Sequence, residues 1–152
     1  MVLWDLLLGL LAVVILGVVA LNLTGVLSTR VVLTGSMSPV MNPADVVVAV
    51  PVSSRTPVVG DIVTYTAQRF DGSQVAPLTH RIIAVDADGR FITKGDANVD
   101  PDVQHPTLAE ISGVVVAIIP KVGVILQPLV LLGILVVIIA VWLAADWARR
   151  RP

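Results

Sequence analysis

Cysteine is absent from the 152 residues, which excludes disulfides, thiolate nucleophiles, cysteine-ligated zinc and iron–sulfur clusters. Aromatic residues are only 4% of the chain, so platforms for stacking bases are few, and a formal charge of −1 removes any overall attraction for a polyanion. Nucleic acid is therefore not an expected partner. Charge of either sign is scarce at 14%, whereas apolar residues reach 56% and the mean hydropathy is +0.93. That balance is too apolar for an ordinary soluble domain.

The few charges are unevenly spread. No ionisable acid or base occurs in 6–29 or in 122–145, two runs of 24 residues each. As a helix, such a run reaches roughly 36 Å, enough to cross a hydrocarbon core of about 30 Å. Two membrane spans are expected, at 3–27 and 122–145. The 92 residues of 30–121 are too few to wrap two buried core helices. The first run lacks the basic start of a cleaved secretory signal, its only early charge being Asp5, and so reads as a retained anchor. Pro128 is tolerable as a kink in the second. Arg149, Arg150 and Arg151 place the basic tail 146–152 in the cytosol, so both termini are expected there, in a two-span protein of the cell membrane. Residues 30–121 then lie outside the cytosol.

That middle segment holds seven basic and nine acidic residues and eight of the ten prolines, and has no helical periodicity. Runs rich in β-branched residues at 46–52, 61–66, 79–86, 90–94 and 111–119 predict strands, and Asp86-Ala87-Asp88-Gly89 predicts a tight hairpin turn. The expected fold is a mainly β catalytic domain between two transmembrane α-helices.

Hydrolysis needs a nucleophile, a base and a group that orients the base. Of the two histidines, His80 opens an apolar strand and His105 sits in a proline-flanked loop. A strand holds its side chains in fixed directions, which suits a base as well as a structural histidine. Ser36, in Thr34-Gly35-Ser36-Met37-Ser38-Pro39, lies shortly after the first span, between a glycine that permits close approach and a proline that stiffens the exit. Asp96, Asp100 and Asp102 follow a strand. One use for them is to orient His80; another is calcium, but no later Glu completes a twelve-residue loop, and no metal is assigned. Lys94 is a further candidate base.

In this order the pieces resemble the type I signal peptidases of the branch found in the endoplasmic reticulum, archaea and some Gram-positive bacteria. Gly35-Ser36-Met37-Ser38-Pro39 is similar to the family's serine box. Gly60-Asp61-Ile62-Val63 with Thr79-His80-Arg81-Ile82 is similar to its histidine region, and Thr93-Lys94-Gly95-Asp96 through Asp102 to its acidic box. Other bacterial members carry a lysine where this chain has His80. The resemblance implies a signal-peptidase-like β fold and a Ser36, His80, Asp102 triad, with Asp96 as a supporting acid. Ala97 and Asp100-Pro101-Asp102 depart from the family pattern, often an Asn and two adjacent Asp, and keep Asp100 as the alternative partner of His80.

The resemblance also implies a membrane-bound serine endopeptidase that removes signal peptides from secreted preproteins after small residues of the Ala-x-Ala type. The Ser36 backbone N–H and Thr34 would form the oxyanion hole, and no cofactor is called for. The partners are signal-peptide-bearing preproteins and the lipid bilayer, with accessory subunits left open. Protonation of His80 would disable the base, so activity should fall on acidification within roughly pH 5 to 8. Two other classes remain: a self-cleaving serine protease of the same fold, which pairs serine with lysine, and a membrane-anchored binding or structural module.

Overall fold

The computed structural model describes residues 2–68, 74–124 and 147. Most of the second expected span, 122–145, and all of the tail 146–152 except Trp147 lie outside the described residues.

The chain begins with helix α1 (Val2–Leu23), 22 residues containing the single charge Asp5. Among the residues whose side chains are described, no helix is long and apolar enough to cross a membrane; within α1 those residues run unbroken only over 16–23. The helix stops short of the expected boundary at 27. Thr24 N–H still donates to Ala20 O, but Gly25 then takes φ +71°, the left-handed geometry that closes helices and that glycine adopts without a Cβ penalty. Asn22 ties this end to the first strand, its Oδ1 accepting from Thr29 N–H at 2.9 Å.

The sequence pattern hid that strand at the boundary where the charge-free run ends. β1 (Ser28–Val31) edges a six-stranded antiparallel sheet completed by β2 (Val46–Val50), β3 (Ile62–Gln68), β4 (Gln74–Val85), β5 (Phe91–Lys94) and β6 (Ile111–Ile119). The spatial order is β1-β2-β6-β3-β4-β5. The five expected strands are present, with β6 at its expected bounds and β4 beginning five residues earlier than read. The described domain is thus mainly β, as expected. The β4–β5 connection is wider than a two-residue hairpin: residues 86–90 form it, with Gly89 at φ +77° and Asp86 Oδ1 accepting the N–H groups of Asp88 and Arg90.

Two apolar clusters hold the sheet. Val63, Tyr65, Ile82, Ile111 and Val114 form one, and Met37, Met41, Val47 and Ile62 the other. Ile62 and Val63 fall in different clusters because successive side chains of a strand point to opposite faces. The second cluster recruits two methionines from the irregular segment between β1 and β2. This is how a non-strand stretch carrying Ser36 becomes fixed to the sheet.

Candidate active site

Register places the polar side chains of the site on one face. Val63 pairs with His80 and Tyr65 with Leu78 across β3 and β4, while Ile82 pairs with Thr93 across β4 and β5. Directly opposed residues share a face and alternate residues repeat it, so Val63, Tyr65, His80, Ile82 and Thr93 all point the same way. His80 is only 4% exposed, and Tyr65 and Thr93 are fully buried. Three polar groups set among apolar neighbours must satisfy one another.

They do so on Asp102, from the loop after β5. His80 Nδ1 lies 2.7 Å from Asp102 Oδ2. The same oxygen accepts from Tyr65 Oη at 2.9 Å and from Thr93 Oγ1 at 2.7 Å. Thr93 Oγ1 also stands 3.1 Å from Tyr65 Oη, but it has one proton and the carboxylate is the nearer, charged acceptor. Burial pushes the Asp102 carboxyl up, yet the hydrogen bonds from His80, Thr93 and Tyr65 outweigh it and hold the group below the ordinary carboxylate range. For the Tyr65 phenol, burial pushes the pKa well above its usual value and the adjacent carboxylate adds to this, so Tyr65 stays a donor.

An ionised Asp102 can only accept, so the imidazole proton sits on Nδ1 and leaves Nε2 with a lone pair. Nε2 faces Ser36 Oγ at 3.1 Å. Hydroxyl, imidazole and carboxylate therefore form one continuous chain. Thr34 Oγ1 is 3.4 Å from Ser36 Oγ, exposed at the mouth of the site.

The turn that carries Ser36 is clamped from two sides. Met37 and Met41 are buried beneath it, and Met41 N–H donates to Met37 O. From above, the turn after β5 folds onto the serine backbone: Ala97 N–H donates to Ser36 O at 2.9 Å, and Asp96 N–H points at Met37 Sδ. A Cβ on Gly95 would lie 2.6 Å from Ser36 O, so only glycine lets the two segments meet. Asp96 is turned away from the histidine and takes both Nε and Nη2 of Arg81, at 2.8 and 2.6 Å, while Arg81 Nη1 donates to Gly60 O. That geometry ties the loop after β5 to the sheet.

Three other candidates stand elsewhere. Asp100 is exposed, two residues before the carboxylate that meets His80. Lys94 Nζ donates to Val99 O at 3.4 Å. His105 Nδ1 is 3.0 Å from Asp86 Oδ2, bracing the β4–β5 turn; the Arg90 N–H and this histidine together keep Asp86 below the ordinary carboxylate range.

Ser36 opens into a cleft of about 400 Å³. It is lined by residues 30–34 and 77–79 together with Met37, Met41 and Val47. Among the lining residues only Arg30 is charged. No protein-family model and no curated protein matches the chain.

Sequence reasoning missed Tyr65, Thr93, Arg81 and Gly95 as members of this assembly. The signals were faint: Tyr65 alternates with Val63 on β3, Arg81 follows His80, and Thr93 opens the Lys94-Gly95-Asp96 block.

Proposed function

We propose that the chain is a membrane-anchored serine endopeptidase of the type I signal peptidase kind, removing N-terminal signal peptides from preproteins after small residues. The observation that carries this reading is the unbroken chain from Ser36 Oγ to His80 Nε2, at 3.1 Å, and from His80 Nδ1 to Asp102 Oδ2, at 2.7 Å. Neutral His80 takes the proton as Ser36 attacks the scissile carbonyl and returns it to the leaving amine; Asp102 holds the tautomer and stabilises the imidazolium. The Ser36 backbone N–H and the Thr34 hydroxyl, whose oxygen stands 3.4 Å from Ser36 Oγ, would be the donors to the oxyanion.

The cleft suits the substrate class. A mostly apolar cleft lined by 30–34, 77–79, Met37, Met41 and Val47 would take an extended peptide with small apolar side chains on alternate positions. Lys94, turned to Val99 O, speaks against a serine–lysine pair and so against the self-cleaving alternative. Helix α1, about 33 Å at 1.5 Å per residue, is the proposed retained anchor, and 122–145 the second span, with both termini cytoplasmic. The β domain would then face outward, its nucleophile near the plane where a signal helix ends.

The test is the full-length protein in liposomes with a preprotein bearing an Ala-x-Ala site. Mass spectrometry should find a new N-terminus directly after that site, and no product, or cuts scattered elsewhere, would sink the proposal. A linked prediction concerns Gly95→Ala. The added Cβ must displace Ser36 O or the loop carrying Asp102, and such a misplacement is expected to cost about 100-fold in cleavage rate with the sheet's circular dichroism unchanged.

A further inference from the structure

The carboxylate of Asp102 has more donors than orienting a histidine requires. Three converge on one oxygen, Oδ2: His80 Nδ1, Thr93 Oγ1 and Tyr65 Oη. The two hydroxyls come from different strands and are fully buried, beyond the reach of any substrate. No proton in the reaction passes through them. We propose that Tyr65 and Thr93 are positioning residues that set the basicity of His80 through Asp102, an inference that deepens the serine-protease reading and rests on it.

The physical argument concerns how a fixed negative charge is shared. A carboxylate bound only to imidazole stabilises imidazolium most strongly and would keep the base protonated to higher pH. Each hydroxyl donated to the same oxygen draws off part of that charge, so less remains to stabilise a proton on His80. The two donors also lock the carboxylate rotamer, because turning Oδ2 away would strand two buried hydroxyls. Other charges near these elements are engaged elsewhere. Arg81 is held by Asp96 and Gly60 O, Lys94 donates to Val99 O, and Asp61, just before β3, pairs with Arg55 at 2.6 Å. His80 itself faces only Asp102 and Ser36 among the hydrogen-bonding groups described.

The experiment compares wild type with Tyr65→Phe, Thr93→Val and Thr93→Ser in the full-length protein. Cleavage of an Ala-x-Ala preprotein is followed across pH, and the imidazole resonances are titrated by NMR. The chain has two histidines, so His105 is an internal reference, assigned with His105→Gln. For Tyr65→Phe and Thr93→Val the acid limb of activity and the His80 resonance are both expected to move up by about half a pH unit. With this, kcat at neutral pH should drop by at most about threefold, KM should stay within twofold and His105 should not move. Thr93→Ser, which restores the hydroxyl, should return to wild type. If a loss of activity merely tracks a lowered Tm and the limb and resonance stay put, the inference is overturned. If Tyr65→Phe does not fold, Thr93→Val reads the same oxygen. An inactive wild-type protein defeats the protease reading, while the NMR shift still decides what the two hydroxyls do to His80.

Discussion

Replacing Ser36 with Ala is expected to lower cleavage of an Ala-x-Ala preprotein by about 10⁴-fold or more, leaving the fold intact. The expectation is this large because the substitution removes one atom, and that atom would be the nucleophile. It is also clean. The contacts that hold the turn run through Met37, Met41 and the Ser36 carbonyl, which receives Ala97 N–H, and none uses Oγ. Only the 3.1 Å bond to His80 and the 3.4 Å contact with Thr34 are lost, a change worth about 1 kcal/mol or less at a partly exposed position. Thermal unfolding should therefore be nearly unchanged while preprotein accumulates uncut. Wild-type rates in this variant would mean that Ser36 attacks nothing.

The second large effect is expected at Asp102. An asparagine there has the right shape, and its carbonyl can take the place of Oδ2 and keep the three donors, but a neutral amide cannot stabilise the imidazolium that forms as His80 accepts its proton. If the amide turns its NH₂ to His80 instead, the ring is driven into the wrong tautomer. Either way kcat should fall by roughly 10²- to 10⁴-fold with KM little changed. Asp100→Asn, at an exposed position, should stay within about twofold of wild type, because an exposed charge with no bond to the base contributes little. Running the two carboxamides side by side decides between acids two residues apart, and an essential Asp100 with a dispensable Asp102 would reverse the assignment. The same contacts set the pH behaviour. Because Asp102 titrates below the ordinary carboxylate range, its stabilising contribution is complete above the unfolded aspartate value of about 3.9 and disappears as the pH falls through its lower folded value. Acid loss of activity near neutrality therefore does not come from Asp102.

Much of this arrangement was legible in one dimension. Glycine, serine and proline around Ser36, a histidine opening an apolar strand and an aspartate loop after the next strand are local patterns, and each made its residues candidates. Local patterns do not say which of several like groups will meet. Asp96, Asp100 and Asp102 lie within seven residues, and their fates differ because the chain turns after β5: one binds Arg81, one is exposed and one faces His80. Lys94 was a further candidate base, and in the fold its Nζ turns to Val99 O. β1 escaped notice because Ser28–Val31 straddles the end of the charge-free run with a single apolar residue, and only pairing with β2 makes it a strand.

By composition and periodicity alone, the chain determined a β-rich middle, two charge-free flanks and a short roster of reactive side chains, since these depend on residue type and on spacings of a few positions. Which hydroxyl, ring and acid form a chain of hydrogen bonds was decided by the tertiary structure. Ser36 and His80 are 44 positions apart and Tyr65 and Asp102 are 37, separations over which no local rule operates. The register of β3, β4 and β5 and the burial of two methionines bring them together, because buried polar groups on one sheet face must find partners there or lose the hydrogen bonds they made to water.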